Sequence, residues 1–485
     1  MTARSSRTWY GIWRVGLVTI LLVGGCCLFK KTGGSSPGPK VGPAVGPLSA
    51  GAAAVTITPS AGTPLAGFGG SPRRDINPVT IPLTLLAIGG ACIDPDPTTA
   101  ATLFNPATGT HDAIMARALV LANGLRKIAI VKLDTIGSSR KLRDDLVKIA
   151  TPLGIPGADF VLLATHTHSG PGAVSEHRLW QLAAADCFAD PVYQAVLAAA
   201  SSALQQANAA LKPAVLGIGT STETLASKNR RDRPTIFDTE LGVVKITTPP
   251  PANAPIAALF NFAVHGTSLG QSNMQFSADC MGEMERVVET GLPGAIAIFT
   301  NGAEGDVAPM HNGLTGIQQE GSIVGGDVVT LWPTVATKSA IDLRGAFTDV
   351  TMPPPSYNTG AGCMPVLGTS KTLCDFVPGL PLGLPLDPSW VSATLPFQAI
   401  RIDDTVFVAI PGEPITEIGW DLKARATAKG FTRGFVLGLA NDHGGYFTTH
   451  AEYVRGEYEG KSTLYGPTTG QVVVDSADQV MSQVQ

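Results

Sequence analysis

Five short apolar runs in this chain each break off into a loop that carries metal-capable or acid–base side chains. Phe160–Ala164 leads into Thr165-His166-Thr167-His168-Ser169-Gly170, and Ile256–Val264 leads into His265-Gly266-Thr267. Ala295–Thr300 runs into Asn301-Gly302-Ala303-Glu304-Gly305-Asp306, and Val406–Ile410 into Pro411-Gly412-Glu413. Phe435–Ala440 runs into Asn441-Asp442-His443-Gly444-Gly445-Tyr446. Apolar runs of this length, bounded by turn residues, read as buried strands. Ligands gather where a sheet holds such loops rigidly beside one another at strand C-terminal ends. The pattern predicts an α/β fold: mixed β-sheets layered with helices, forming a single catalytic domain with active-site loops at strand C-terminal ends.

Around those runs, Arg117–Ala122, Asn123-Gly124 and Lys127–Leu133 predict a hairpin whose Asn-Gly turn favours positive φ. Ala399–Ile402, Asp403-Asp404 and Val406–Ile410 predict a second. Helical patterns cover Arg140–Ala150, Pro191–Leu211, Cys280–Thr290 and Pro414–Ala428, with Pro414 expected at the first helical position, where its missing N–H costs nothing. Residues 350–390 read as a long irregular loop, and no repeat of solenoid length is present. With 55 Gly and 37 Pro, the chain is rich in loops and short strands and is no helical bundle.

At 485 residues, 44% hydrophobic and 15% charged, the chain is long enough for one large or two ordinary domains. Its net charge is −4 with no basic block, which argues against nucleic acid as a partner. Residues 1–25 read as a signal peptide: Arg4, Arg7 and Arg14 precede the apolar run Val15–Val23, and Gly24-Gly25-Cys26 follows. The Val-Gly-Gly-Cys ending resembles a bacterial lipobox, in which Cys26 becomes a lipidated N-terminus; ordinary cleavage or a short uncleaved anchor are the alternatives. Localisation follows: exported, to the bacterial periplasm or to the outer membrane or cell surface as a lipoprotein, touching the membrane through that anchor. Residues 26–54, rich in Gly, Pro, Ser and Ala, read as a flexible linker, leaving 55–485 as the catalytic domain. Beyond Cys26 and Cys27, five cysteines remain, so at least one thiol stays free; Cys363 and Cys374 are the best candidate pair.

The chemistry has bland readings as well as sharp ones. In an extended chain, alternation points His166 and His168 in opposite directions, so that one binds metal while the other faces substrate. The bland alternative is a pair of hydrogen-bonded loop histidines. Glu413 could cap the following helix, a role worth about 1 kcal/mol, and Tyr446 could simply be packed. Gly266-Thr267-Ser268-Leu269-Gly270 fits the Gly-x-Ser-x-Gly nucleophile elbow, but that motif needs a helix straight after the serine, and Gln271-Ser272-Asn273-Met274-Gln275 has little helical pattern. No His-Glu-x-x-His and no Walker-type loop occurs.

An ordered series of motifs resembles the neutral ceramidase family (neutral/alkaline, non-lysosomal). Ala164-Thr165-His166-Thr167-His168-Ser169-Gly170-Pro171-Gly172 and Asn261-Phe262-Ala263-Val264-His265-Gly266-Thr267-Ser268 are similar to its most specific signatures. Gly305-Asp306-Val307-Ala308-Pro309, Pro411-Gly412-Glu413 and Tyr446-Phe447-Thr448-Thr449 follow in the family's order. Glu452-Tyr453, Tyr458-Glu459-Gly460 and Ser462-Thr463-Leu464-Tyr465-Gly466-Pro467 complete the series, which spans about Ile57 to Pro467.

The resemblance implies an enzyme with one catalytic zinc ion that cleaves the amide of ceramide, an N-acyl lipid, to a sphingoid base and a fatty acid. It implies His166, His265, Glu413 and Tyr446 as zinc ligands, with His168, Arg230 and Tyr458 stabilising the developing oxyanion. Ala308 stands where the family has Ser, so a serine nucleophile at that position is ruled out. The chain also ends soon after Pro467, so the family's immunoglobulin-like C-terminal domain is not expected. The alternatives are a zinc amidohydrolase acting on another N-acyl lipid or amide, and a catalytically inactive, surface-anchored binding lipoprotein.

Overall fold

Each of the three large sheets is antiparallel except for one parallel strand pair at one edge. This arrangement is seen in a computed structural model that describes residues 39–75, 77, 80–90, 92, 99–358 and 383–485. The first sheet runs Phe160–Ala164, Lys127–Leu133, Met115–Ala122, Ser49–Thr56, Lys212–Pro213, with its first two strands parallel. The second runs Ile296–Asn301, Pro255–Phe262, Glu240–Thr247, Val215–Thr222, again with the first two parallel. The third runs Val45–Pro47, Ala340–Thr351, Thr394–Ile402, Thr405–Ala409, Arg433–Leu437, and its last two are parallel. All five strands expected to carry functional loops belong to these parallel pairs. Parallel neighbours deliver their C-terminal loops to the same end of the sheet, so three such edges concentrate chemistry in one place.

Strand alternation builds the layers. Ile128, Ile130, Val161 and Leu163 of the first sheet face a central core shared with Val244, Leu259 and Ile298 of the second and Ile400, Phe407 and Leu437 of the third. Their sequence neighbours Ala129, Val131, Phe160 and Leu162 face outward, onto a layer containing Leu142 and Leu146 of the Arg140–Ala150 helix and Val196, Ala203 and Leu204 of the Asp190–Ala209 helix. The Asp279–Gly291 helix covers the second sheet, and the Thr416–Ala428 and Thr469–Gln483 helices cover the third. The fold is therefore α/β, with mixed sheets layered by helices. Among the described residues no helix is long and apolar enough to cross a membrane.

All four expected helices lie where the periodicity puts them, within two residues at each end: Arg140–Ala150, Asp190–Ala209, Asp279–Gly291 and Thr416–Ala428. The Ser139 hydroxyl caps the first by accepting from Leu142 N. Pro414 is not at the start of the fourth. It belongs to a two-residue strand, Glu413–Pro414, and the helix begins at Thr416. In the first hairpin only Gly124 takes positive φ (77°); Asn123 instead uses its side-chain oxygen to accept from Leu125 N and Arg126 N, closing a four-residue loop. The Thr469–Gln483 helix was not anticipated.

One expectation about the start of the fold needs correction. The 26–54 linker is too long: Val45–Pro47 pairs with Ala340–Asp342, and Ser49–Thr56 lies inside the first sheet. Its small residues serve close packing. A Cβ on Gly51 would collide with the Ala207 carbonyl of the helix behind the sheet. Composition alone cannot separate a strand pressed against a helix from a tether. The leader 1–25, with Cys26, and the Cys363–Cys374 pair lie outside the described residues. Among the described residues a disulfide joins Cys92 to Cys187, 95 residues apart, and Cys280 is a buried free thiol.

Gly51→Val should therefore destabilise the protein by roughly 2 kcal/mol through overpacking. Gly42→Val, which has open space around it, should change stability by less than about 0.5 kcal/mol. Urea unfolding of both variants checks this; equal midpoints would return the segment to the status of a tether.

Candidate metal centre

His166 takes φ 70°, the left-handed region, directly after the Phe160–Ala164 strand. This breaks the alternation expected of an extended His-x-His, and the two imidazoles converge: His166 Nε2 and His168 Nε2 are 3.3 Å apart. The strained backbone is held by its surroundings. His166 N donates to Thr135 O, His168 N donates to Gly266 O, and Thr167 bridges Gly266 in parallel. Gly266 has to be glycine, because a Cβ there would run into the His166 carbonyl and Thr167 Cα. The loop after the first sheet is thus laced to the loop that carries His265.

Glu413 and Tyr446 arrive as register partners in a short parallel pair, Glu413–Pro414 with Tyr446–Phe447. Both sit beyond the parallel edge of the third sheet. Glu413 Oε2 lies 3.2 Å from His166 Nε2 and 3.3 Å from His265 Nε2, buried and without a well-directed hydrogen bond. Tyr446 Oη is 3.1 Å from His265 Nε2 and accepts from Arg230 Nη2 at 3.1 Å. Arg230 follows the Ser227–Asn229 strand and is fixed by Glu459 (2.7 Å) and the Gly305 carbonyl (2.8 Å), with its guanidinium against the rings of Tyr446 and Tyr458. Tyr458, from the Glu457–Lys461 helix, is 60% exposed, its ring 5.4 Å from that of Tyr446. The structure brings all seven sequence-predicted residues, His166, His168, Arg230, His265, Glu413, Tyr446 and Tyr458, to this one place.

Protonation follows from burial and neighbours. His166 Nδ1 meets the Ile136 carbonyl at 2.6 Å and His265 Nδ1 meets the Glu304 carbonyl at 2.8 Å. A carbonyl can only accept, so both rings carry a proton on Nδ1 and turn Nε2 inward. Burial, reinforced by Arg230, pushes the His265 imidazole down to about 3. Burial, reinforced by the neighbouring imidazoles, likewise keeps His168 neutral. Burial would raise the Glu413 carboxyl, but His166, His265 and His443 outweigh it and hold it well below the usual carboxylate range. Imidazole nitrogens beside an ionised carboxylate form a donor set suited to a cation, and the His166, His168 and His265 ring nitrogens lie within 4.8 Å of one another.

Sequence reasoning left His443 without a role, although its loop stood out. Its Nε2 is 2.9 Å from Glu413 Oε1, its ring stacks on Trp180 (centroids 4.4 Å, interplanar angle 11°), and Trp180 Nε1 donates to its carbonyl at 2.8 Å. Asp442, bound by His177 (3.0 Å) and Ser392 (2.6 Å), receives His443 N and sets the loop. The only signal in the sequence was a histidine directly before Gly444-Gly445; its partners lie 30 and 263 residues away in the chain. Glu304 is a second residue without a predicted role: both carboxyl oxygens are buried and unpartnered, and burial, then Glu413, raise it well above the usual range. The elbow reading fails on structure, since loop and a short strand follow Ser268, whose N–H is held by Asp279. Ala308 lies on a strand opposite Lys228.

His443 orients the carboxylate that faces His166 and His265, so His443→Leu should weaken divalent-metal affinity by roughly 10- to 100-fold while the fold persists. Calorimetric metal titration of the two proteins checks this; an unchanged affinity would show that Glu413 does not need His443.

Comparison with known proteins identifies the family of the chain. Residues 87–323 and 380–475 match the family described as neutral/alkaline non-lysosomal ceramidase, N-terminal. Neutral ceramidase of Pseudomonas aeruginosa is 25% identical over 387 residues, covering 64% of this chain and 57% of its own length. Neutral ceramidase B of Dictyostelium discoideum is 24% identical over 478 residues, covering 74% of this chain and 66% of its own length. The chain thus spans less than two thirds of the length of each. The crystal structure of the Pseudomonas aeruginosa neutral ceramidase shares the fold, with a TM-score of 0.70 at 21% identity over 90% of this chain and 75% of that one. This chain belongs to the neutral/alkaline non-lysosomal ceramidase family.

Proposed function

We propose that this protein is a zinc-dependent amidohydrolase that cleaves the amide of N-acylsphingosines, ceramide above all, to a sphingoid base and a fatty acid. One observation carries the reading: two imidazoles with Nδ1 tied to carbonyls turn their Nε2 atoms toward a buried carboxylate oxygen that no donor satisfies. His166, His265, Glu413 and Tyr446 would hold the ion, a mixed nitrogen and oxygen set typical of catalytic zinc. Zinc held there would supply Lewis acidity and activate water near neutral pH.

The chain's own residues do the rest. His168 Nδ1 is buried without an acceptor, unlike Nδ1 of His166 and His265. Its proton is therefore free to sit on Nε2, where it donates to the amide oxygen as negative charge develops. Arg230, locked by Glu459, keeps Tyr446 Oη in place and adds fixed positive charge beside that oxygen. Tyr458, partly exposed at the rim, offers its hydroxyl as a further donor to the same oxygen. The family relatives named neutral ceramidase support this substrate class. Another N-acyl lipid or amide is the competing reading, because the chain spans only 57% of the Pseudomonas relative. The leader ending at Cys26 supports an exported, lipid-anchored enzyme; release of a Cys26→Ser variant from the membrane fraction is the outcome that reading expects.

Purified protein should contain about one zinc per chain and hydrolyse a fluorescent N-acylsphingosine; a strong chelator should abolish turnover and added zinc restore it. His166→Ala and His265→Ala should each lose both zinc and activity while remaining folded by circular dichroism. Stoichiometric zinc in either variant removes that residue from the ligand set, and turnover that survives chelation overturns the proposal. A panel of other N-acyl amides, assayed in parallel, decides the substrate.

Tyr446→Phe and Tyr458→Phe should behave differently. The first removes a ligand oxygen and should weaken zinc binding. The second should leave zinc in place and slow turnover by roughly 10²-fold. Equal zinc content in the two variants would contradict this division of roles.

A further inference from the structure

The Thr80–Ile88 helix turns three large apolar side chains to solvent: Ile81 (47% exposed), Leu85 (63%) and Ile88 (45%). Their spacing of four and three residues puts them on one stripe. On its inner side, Leu83 and Ala87 pack on Leu103, Phe104 and Cys187. From Asn77 to Ile93 the sequence has no charged residue.

The helix is fastened to the rim of the candidate site. Arg178 donates to the Ala87 carbonyl at 2.6 Å, and Arg74 bridges Thr84 Oγ1 (2.9 Å) to the Leu182 carbonyl (2.6 Å). The Cys92–Cys187 disulfide pins the chain just beyond the helix. Arg178 opens the short helix that carries Trp180, and Trp180 stacks on His443, which holds Glu413. Upstream of the helix, the Phe68 ring lies 4.6 Å from the His168 ring.

We propose that this stripe is the surface by which the enzyme docks on a lipid bilayer, setting the site at the interface from which its substrate is drawn. The proposal rests on the reading that the substrate is an N-acyl lipid. Such a molecule resides in a bilayer, and its amide must pass from there to the site. A second copy of this chain fits less well. The three side chains expose on the order of 300 Å², far below the about 800 Å² per partner of a stable protein interface. A small, uncharged apolar stripe without acidic neighbours in its own segment suits shallow insertion among headgroups and acyl chains.

The test is hydrogen–deuterium exchange on the full chain with and without phosphatidylcholine vesicles, for wild type and the double variant Ile81→Asp, Leu85→Asp. Amides of residues 80–88 should exchange several-fold more slowly when vesicles are added to wild type, and should not respond in the variant. The variant's apparent KM for a long-chain N-acyl lipid in vesicles should rise about tenfold, with hydrolysis of a water-soluble short-chain analogue unchanged. Exchange that vesicles leave unaltered, or an unaltered vesicle KM in the variant, overturns the proposal. Protection that follows protein concentration without vesicles also overturns it and assigns the stripe to a second copy. If the chain cleaves no N-acyl lipid yet the helix is protected by vesicles, docking stands and the substrate reading falls.

Discussion

Three sheet edges meet in the interior of this protein, and side-chain amides of three buried asparagines join them. An edge strand presents unpaired N–H and C=O groups, and each one left unsatisfied in the core costs about 1–3 kcal/mol. Asn441 solves this between the third and first sheets: its N–H and side-chain oxygen take the Leu162 carbonyl (2.8 Å) and N–H (3.0 Å), as a strand neighbour would. Asn301 accepts from Val264 N and donates to the Thr165 and Val264 carbonyls. Asn261 donates to Thr300 and across to the Val436 carbonyl. An amide carries donor and acceptor together, so it can continue a ladder where the backbone cannot. The loops bearing His166, His265, Glu413 and Tyr446 all start within a few residues of these junctions, and their mutual distances depend on them.

The same closeness sets the electrostatics. Low-dielectric surroundings strengthen every pairing at the site and penalise each charge that lacks one. Glu413 remains ionised because three imidazoles face it, whereas Glu304, equally buried but unpartnered, is pushed toward its neutral form. Two glutamates near one another are thus driven apart in acidity by what surrounds them.

Much of this was legible in the residues. Apolar runs of five to nine residues marked the strands, and the 3.6-residue period marked the Arg140–Ala150 and Asp279–Gly291 helices, because burial on one face imposes those periods. Errors arose where local pattern and tertiary need diverge. The Ala- and Gly-rich segment before Thr56 read as a tether because small residues are common to flexible chains and to strands pressed against helices. Pro414 read as a helix start because Pro is favoured there, but Glu413 was held back in a strand by pairing with Tyr446. The expected divergence of His166 and His168 assumed an extended backbone, and φ 70° at His166 reversed it.

By itself, the sequence determined which side chains are offered to the site and at which strand ends, since hydrophobic periodicity and loop chemistry are local properties. Its motifs also identified the family. Only the tertiary structure decided which nitrogens face inward, because the Ile136 and Glu304 carbonyls that fix the two imidazoles come from other loops. It likewise decided that His443 supports Glu413, that Arg230 reaches Tyr446, and that an uncharged helix sits at the rim. These are contacts between residues dozens to hundreds of positions apart, and no local periodicity encodes them; they follow from how three sheet edges are joined.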